Sequence, residues 1–200
     1  MSTSYDYAQP DTLLAAALAP LDWTRSVGLV FSFSLLMALA AQISIPAGPV
    51  PITGQTFVVL LTGALLGSRL GAMAMIVYLI EGASGLPFFS GGRGGLLHLL
   101  GPTGGYLVSF PAAAFITGAF AENDWDKRFL TAVAAMAVGS VVIILAGWAW
   151  FSLATHTAPI AAFQISVLTF LPGDVVKILL AAAALPLGWK LLKSKASQKR

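Results

Sequence analysis

Leu171-Pro172-Gly173-Asp174-Val175-Val176-Lys177-Ile178-Leu179-Leu180 sets one acid and one base into a run otherwise apolar enough to lie in a membrane. Pro172 suits the first turn of a helix, where its missing N–H is no loss, and a helix begun there runs about 20 residues to the basic tail, the length that crosses a bilayer. Asp174 then falls in the first turn, where the helix dipole favours an anion, and Lys177 lies three residues on, on the same face. An ionised side chain at the bilayer centre costs roughly 2.5–3.5 kcal/mol on insertion scales, so such residues face a protein interior or cavity and serve a ligand or ion. The plainer alternative is an intrahelical salt bridge that only neutralises two awkward charges.

The rest of the chain agrees with that reading. Of 200 residues, 58% are hydrophobic and 10% charged, and the mean hydropathy is +0.86, whereas soluble domains carry about 25% charge. The sequence predicts an all-α integral membrane protein, a single membrane domain over residues 1–200. The length allows about six membrane-crossing helices, placed from breakers and charges near 24–42, 54–67, 70–84, 102–120, 129–152 and 172–191. Residues 1–23 form a cytoplasmic lead-in without the basic start of a signal peptide, 24–191 a compact bundle, and 192–200 a basic cytoplasmic tail. With no cysteine and two histidines, disulfides and thiolate chemistry are excluded and neither metal nor cofactor is expected. The basic residues gather at helix ends, not in a stripe with interleaved aromatics, so nucleic acid is not an expected partner.

With both termini cytoplasmic, Arg25, Arg69, Lys127, Arg128, Lys190, Lys193, Lys195, Lys199 and Arg200 all fall on or beside the inner side, as the positive-inside rule requires. Arg93 and Lys177 are the exceptions. Arg93 lies in the outer loop after the third helix, and the topology brings it to the same side as Asp174 and Lys177.

In that loop, Glu81-Gly82-Ala83-Ser84-Gly85-Leu86-Pro87-Phe88-Phe89-Ser90-Gly91-Gly92-Arg93-Gly94-Gly95, four glycines flank one arginine. They let the backbone come close to whatever the guanidinium holds, and a planar fork suits a carboxylate. The alternative is a loose loop with a surface arginine. No Gly-x-x-x-x-Gly-Lys-Ser/Thr occurs, so the chain does not carry its own ATPase loop. Glu81 ends the third helix on the outer side. Two acids and two bases thus converge on a candidate pocket for a small ligand with an anion and hydrogen-bond donors, and Tyr78, Tyr106, Phe88 and Phe89 are candidate walls. The Pro-rich segment Ser44 to Thr56 is either a lid across an outward cavity or a turn, with Gln55 the polar residue expected to point inward. Gly63, Gly67 and Gly71 are spaced for close helix contact.

Three stretches together carry a family resemblance: Val50-Pro51-Ile52-Thr53-Gly54-Gln55-Thr56-Phe57; Gly85 to Gly95 leading to Gly101-Pro102-Thr103-Gly104-Gly105-Tyr106; and Leu171 to Lys177. Over roughly residues 25–190 the chain resembles the BioY family, the biotin-specific substrate-binding (S) components of energy-coupling factor (ECF) transporters. The resemblance implies a six-helix bundle in the cell membrane with an outward biotin pocket and no enzymatic activity. It implies as partners a transmembrane coupling protein and two cytoplasmic ABC-type ATPase subunits. It makes Arg93, Asp174 and Lys177 polar ligands of biotin, with Glu81 at a further polar position. Asp174 is assigned to the ureido N–H groups, while Lys177 and Arg93 divide the ureido oxygen and the carboxylate. The resemblance also implies docking, which in subunits of this class often runs through an Ala-x-x-x-Ala pattern in the first helix. Residues 26–45 contain none, and Ser34-x-x-x-Ala38 and Ala40-x-x-x-Ser44 keep small residues at that spacing.

Other readings compete with this one. A transport subunit for a different small carboxylate vitamin would use the same charges. A purely structural membrane subunit would leave them idle. Gly82-Ala83-Ser84-Gly85 resembles the Gly-x-Ser-Gly motif of rhomboid intramembrane serine proteases, with His98 or His156 as base. That reading puts both histidines in loops and leaves Arg93, Asp174 and Lys177 without a role.

Overall fold

Helices dominate because the apolar runs have no water to satisfy their backbone groups, and a helix satisfies them internally. The structure, a computed structural model, describes residues 12–18 and 21–198. Residues 1–11, 19 and 20 of the expected lead-in, with Lys199 and Arg200 of the tail and the side chains of Lys193 and Lys195, lie outside the described residues.

Helix α1 (Leu13–Leu18) precedes α2 (Trp23–Gln42), and a short antiparallel hairpin, β1 (Ser44–Ile45) and β2 (Ile52–Thr53), leads into α3 (Gln55–Leu66). Then follow α4 (Ser68–Ala83), the short α5 (Leu96–Leu99), α6 (Gly104–Ala121) and α7 (Phe129–Thr155). Helix α8 (Pro159–Phe163) runs into a π-helical turn, Gln164–Leu168, before α9 (Leu171–Gln198). Four of these, α2, α6, α7 and α9 as far as Leu192, are long and apolar enough to cross a membrane. Helices α3 and α4, of 12 and 16 residues, are shorter than the roughly 20 residues a span needs.

The expected spans correspond to α2, α3, α4, α6, α7 and α9, and three details differ. The Pro-rich segment after α2 is a paired hairpin, with Ser44 opposite Thr53 and Ile45 opposite Ile52. Residues 159–168 are helical, because Pro159 starts a helix at its first position. Helix α9 continues past residue 191 to Gln198, since Lys, Ala and Gln propagate a helix after the apolar segment ends.

Helix α6 is the centre, packed against α3, α4 and α7. Small residues permit this. A Cβ on Gly63 would sit 2.2 Å from the Ala114 carbonyl oxygen, and one on Gly71 would sit 2.9 Å from the Gly63 Cα. Gly67, at φ +86°, turns the chain sharply from α3 into α4, and the Glu122 carboxylate accepts from the Ser68 N–H at 2.6 Å, capping the α4 N-terminus. Of the small residues kept at Ala-x-x-x-Ala spacing, three face inward and Ser44 is half-buried. Ser34, Ala38 and Ala40 are 0%, 7% and 6% exposed, because Ser34 hydrogen-bonds Glu81 on α4 and Ala40 backs the start of α3 at Gly54.

The bundle has two different ends. At one, Asp126 in the turn between α6 and α7 accepts from the Trp189 indole N–H at 2.6 Å, and the Lys127 ammonium sits 4.8 Å above the Trp189 ring. Arg25, Arg69 and Lys190, at the start of α2, the start of α4 and late in α9, belong to this same end. The hairpin, the loop after α4 and the first turn of α9 meet at the other.

Candidate functional site

At that second end the hairpin lies over a cavity of about 320 Å³ bounded by α3, α6, α7, the Gly-rich loop and the start of α9. Its lower walls are apolar, from Leu107 and Phe110 of α6, Ile143 and Ile144 of α7, and Phe170. The hairpin contributes Pro46, Pro49, Val50 and Ile52. The Ile52 side chain reaches close to Gly173, 3.9 Å from where a Cβ there would stand.

The polar groups cluster on one wall. Asp174, only 6% exposed, and Lys177 are joined Nζ to Oδ1 at 3.2 Å. Both engage Thr56 of α3: Lys177 Nζ donates to its Oγ1 at 2.8 Å, and that hydroxyl donates to Asp174 Oδ1 at 3.2 Å. The pair is therefore more than an intrahelical bridge, since a third residue from another helix holds it toward the cavity. An ammonium and a carboxylate so arranged offer a donor and an acceptor to one ligand.

Gln55, Arg93 and Tyr106 also line the cavity. Arg93 enters on a tight turn in which Phe89 N–H donates to the Arg93 carbonyl at 2.8 Å, made feasible by Gly91 and Gly92 at φ +73° and +68°. The loop is thus ordered around its arginine. Tyr106 presents its ring to the cavity while its hydroxyl donates to the Ser166 carbonyl at 2.6 Å. Gln55 is nearly buried; its Nε2 donates to the Tyr78 hydroxyl at 2.8 Å, which in turn donates to the Phe88 carbonyl at 3.1 Å.

Tyr78 and Glu81 are not brought to the cavity lining. Tyr78 is fully buried behind Gln55. The Glu81 carboxylate accepts from Ser34 of α2, a partner that side-of-membrane arguments cannot anticipate. Nor does Phe89 form a wall: it is fully buried, stacked 5.1 Å from the His98 ring and edge-on to Tyr78 at 5.7 Å. Sequence reasoning missed Thr56, Phe110, Phe170, Ile143, Ile144 and His98 as lining residues. Thr56 alone left a trace, as the neighbour of Gln55. Burial and the Arg93 guanidinium push the His98 imidazole below the usual histidine range. Ser84 ends α4 exposed, with its hydroxyl donating to the Glu81 carbonyl at 2.7 Å, and no hydrogen bond joins it to either histidine among the described residues.

The sequence profile described as the BioY family matches residues 9–194. The chain belongs to the BioY family. It is 44% identical over 153 residues to "Probable biotin transporter BioY" of Pyrococcus horikoshii, covering 76% of this chain and 89% of that one. It is 36% identical over 186 residues to "Biotin transporter BioY" of Rhizobium etli, covering 86% and 99%. A crystal structure described as the S-component for biotin from an ECF-type ABC transporter superposes with a TM-score of 0.75 at 25% identity, over 84% of this chain and 92% of that one. The chain covers 89% and 99% of these two relatives, and the fold matches an ECF S-component.

Proposed function

We propose that this chain is the biotin-capture subunit of an ECF-type vitamin uptake transporter, binding biotin from outside and delivering it inward when coupled to an ATP-driven module. The observation that carries the reading is the Asp174–Thr56–Lys177 cluster in a lidded, otherwise apolar cavity of a BioY-family chain. A volume of about 320 Å³ lies within the range of small-molecule sites, about 300–1,000 Å³. Biotin combines ureido N–H donors, a ureido oxygen, an apolar bicyclic ring and chain, and a terminal carboxylate. In this reading Asp174 accepts from the ureido N–H groups, Lys177 and Arg93 donate to the two oxygen functions, and Gln55 and Tyr106 flank the ligand. Tyr78 supports Gln55 from behind, and Glu81 acts at a distance, by fixing α4 to α2.

The residues form one membrane domain of the cell membrane with six crossing segments, α3 and α4 being the short ones. Both termini lie in the cytoplasm, on the side where Arg25, Arg69, Lys127, Arg128 and Lys190 gather. The module partners are a transmembrane coupling protein and two cytoplasmic ABC-type ATPase subunits, a reading supported by the ECF S-component fold. No chemistry is done on the vitamin.

Calorimetric titration of the detergent-purified protein with biotin tests this, with Asp174→Asn and Lys177→Met as controls. Stoichiometric, tight binding lost in both folded variants is expected. Unchanged affinity in both removes the proposed site. No binding by the folded parent removes biotin and turns the search to other small carboxylate vitamins.

A further inference from the structure

Gln42 is the last residue of α2, two residues before the hairpin's first strand, and its side chain reaches the Gly-rich loop that lines the cavity. Its Oε1 accepts from the Gly92 N–H at 2.9 Å, and its Nε2 lies 3.3 Å from the Phe89 carbonyl and 3.4 Å from that of Pro87. The same Nε2 donates to the Ala38 carbonyl at 3.1 Å, one turn back in α2. One exposed side chain therefore grips the Gly-rich loop on both strands of its reversal, 45 to 50 residues away in sequence.

The groups it grips are those that fix Arg93. Gly91 and Gly92 both take positive φ, a conformation that glycine reaches without penalty but also leaves easily. The turn is closed from the other side by the Phe89–Arg93 backbone bond at 2.8 Å. The Arg93 side chain makes no hydrogen bond or ion pair with any described residue, so this backbone alone sets the point from which the guanidinium reaches the cavity. An amide suits the task because it accepts from an N–H and donates to carbonyls at once. Its place also links the loop to the lid, since the next residue, Ile43, accepts from Gly54 N–H at 3.0 Å at the hairpin's base.

From this geometry we infer that Gln42 is the positioning residue for Arg93, pre-ordering the Gly-rich loop so that the backbone bearing the guanidinium is in place before the ligand arrives. The inference rests on the proposed reading of Arg93 as a ligand contact. Pre-organisation of this kind raises affinity without adding a contact.

A double-mutant cycle on the full-length protein, read by calorimetric binding of biotin, tests it. Gln42→Ala is expected to weaken binding about tenfold, a typical coupling for residues sharing one network. In an Arg93→Ala background the same change is expected to have no further effect. Gln42→Glu keeps the acceptor for Gly92 and loses the donor, and it is expected to behave as Gln42→Ala with the fold retained. Full additivity with Arg93→Ala, or parent affinity in both Gln42 variants, overturns the positioning role while Arg93 stays a contact. Parent affinity in Arg93→Ala overturns the contact and the positioning role together.

Discussion

Lys177 and Thr56 lie 121 residues apart, and the ammonium of the first donates to the hydroxyl of the second at 2.8 Å. The same hydroxyl donates to Asp174, so Thr56 orients both members of the charged pair toward the cavity. Thr56→Val keeps the shape and removes the hydroxyl. It is expected to weaken biotin binding about tenfold or more, the range of hydrogen bonds to charged groups, and Thr56→Ser is expected to retain most of the affinity. Equal affinity of the Val and Ser variants would show that the hydroxyl plays no part.

Arg93, on the Gly-rich loop, and Lys177, on α9, enter the cavity from different elements. If Arg93 reads the carboxylate, Arg93→Ala weakens biotin by a larger factor than it weakens the neutral biotin amide. Competition titrations measure both ratios. Equal losses for acid and amide would assign the carboxylate to Lys177.

Asp126 is 2% exposed, with one carboxylate oxygen on Trp189 and the other without a hydrogen-bond partner. Desolvation by burial is the largest influence and raises its pKa, Asp124 acting the same way against the Trp189 and Lys127 contributions. Between the ordinary carboxylate value and the raised one, the native state holds a proton that the unfolded chain has already released. The stability contributed by this group is full below the ordinary carboxylate range and is lost as pH rises through the elevated value. Thermal unfolding across mildly acidic to neutral pH is expected to show this decline, and Asp126→Asn is expected to remove it while raising stability near neutrality. An identical pH profile in the variant would contradict the assignment.

Gly63 touches the α6 backbone so closely that a methyl group has no room, whereas a Cβ on Gly28 meets nothing within 4 Å. Gly63→Ala is expected to destabilise the bundle by about 1–3 kcal/mol, the cost of overpacking. Gly28→Ala, on an exposed face of α2, is expected to leave the unfolding midpoint unchanged or raise it, since Ala is up to about 1 kcal/mol better than Gly inside a helix. A denaturation series on the two purified variants compares them directly, and equal midpoints would count against tight α3–α6 packing.

The sequence by itself determined that this chain is helical and made for a membrane, because long apolar runs and scarce, end-placed charge allow nothing else. It also determined that Asp174 and Lys177 share a face, since a spacing of three on a helix is local geometry. The three stretches from Val50, Gly85 and Leu171 carried the family. Only the tertiary structure decided which distant groups meet. Glu81, an acid on the expected side of the membrane, turns to Ser34. Phe89, a candidate wall, fills the space that Gly82 leaves beside α4, where a Cβ would stand 2.3 Å from its ring. Phe110, Ile143 and Phe170 line the cavity with no local mark that they would. The reason is physical: a helix apolar on every side has no periodic pattern to say which face turns inward. Contacts such as Gln42 to Gly92 or Lys177 to Thr56 exist only once the packing of α2, α3, α4, α6 and α9 has brought their ends together.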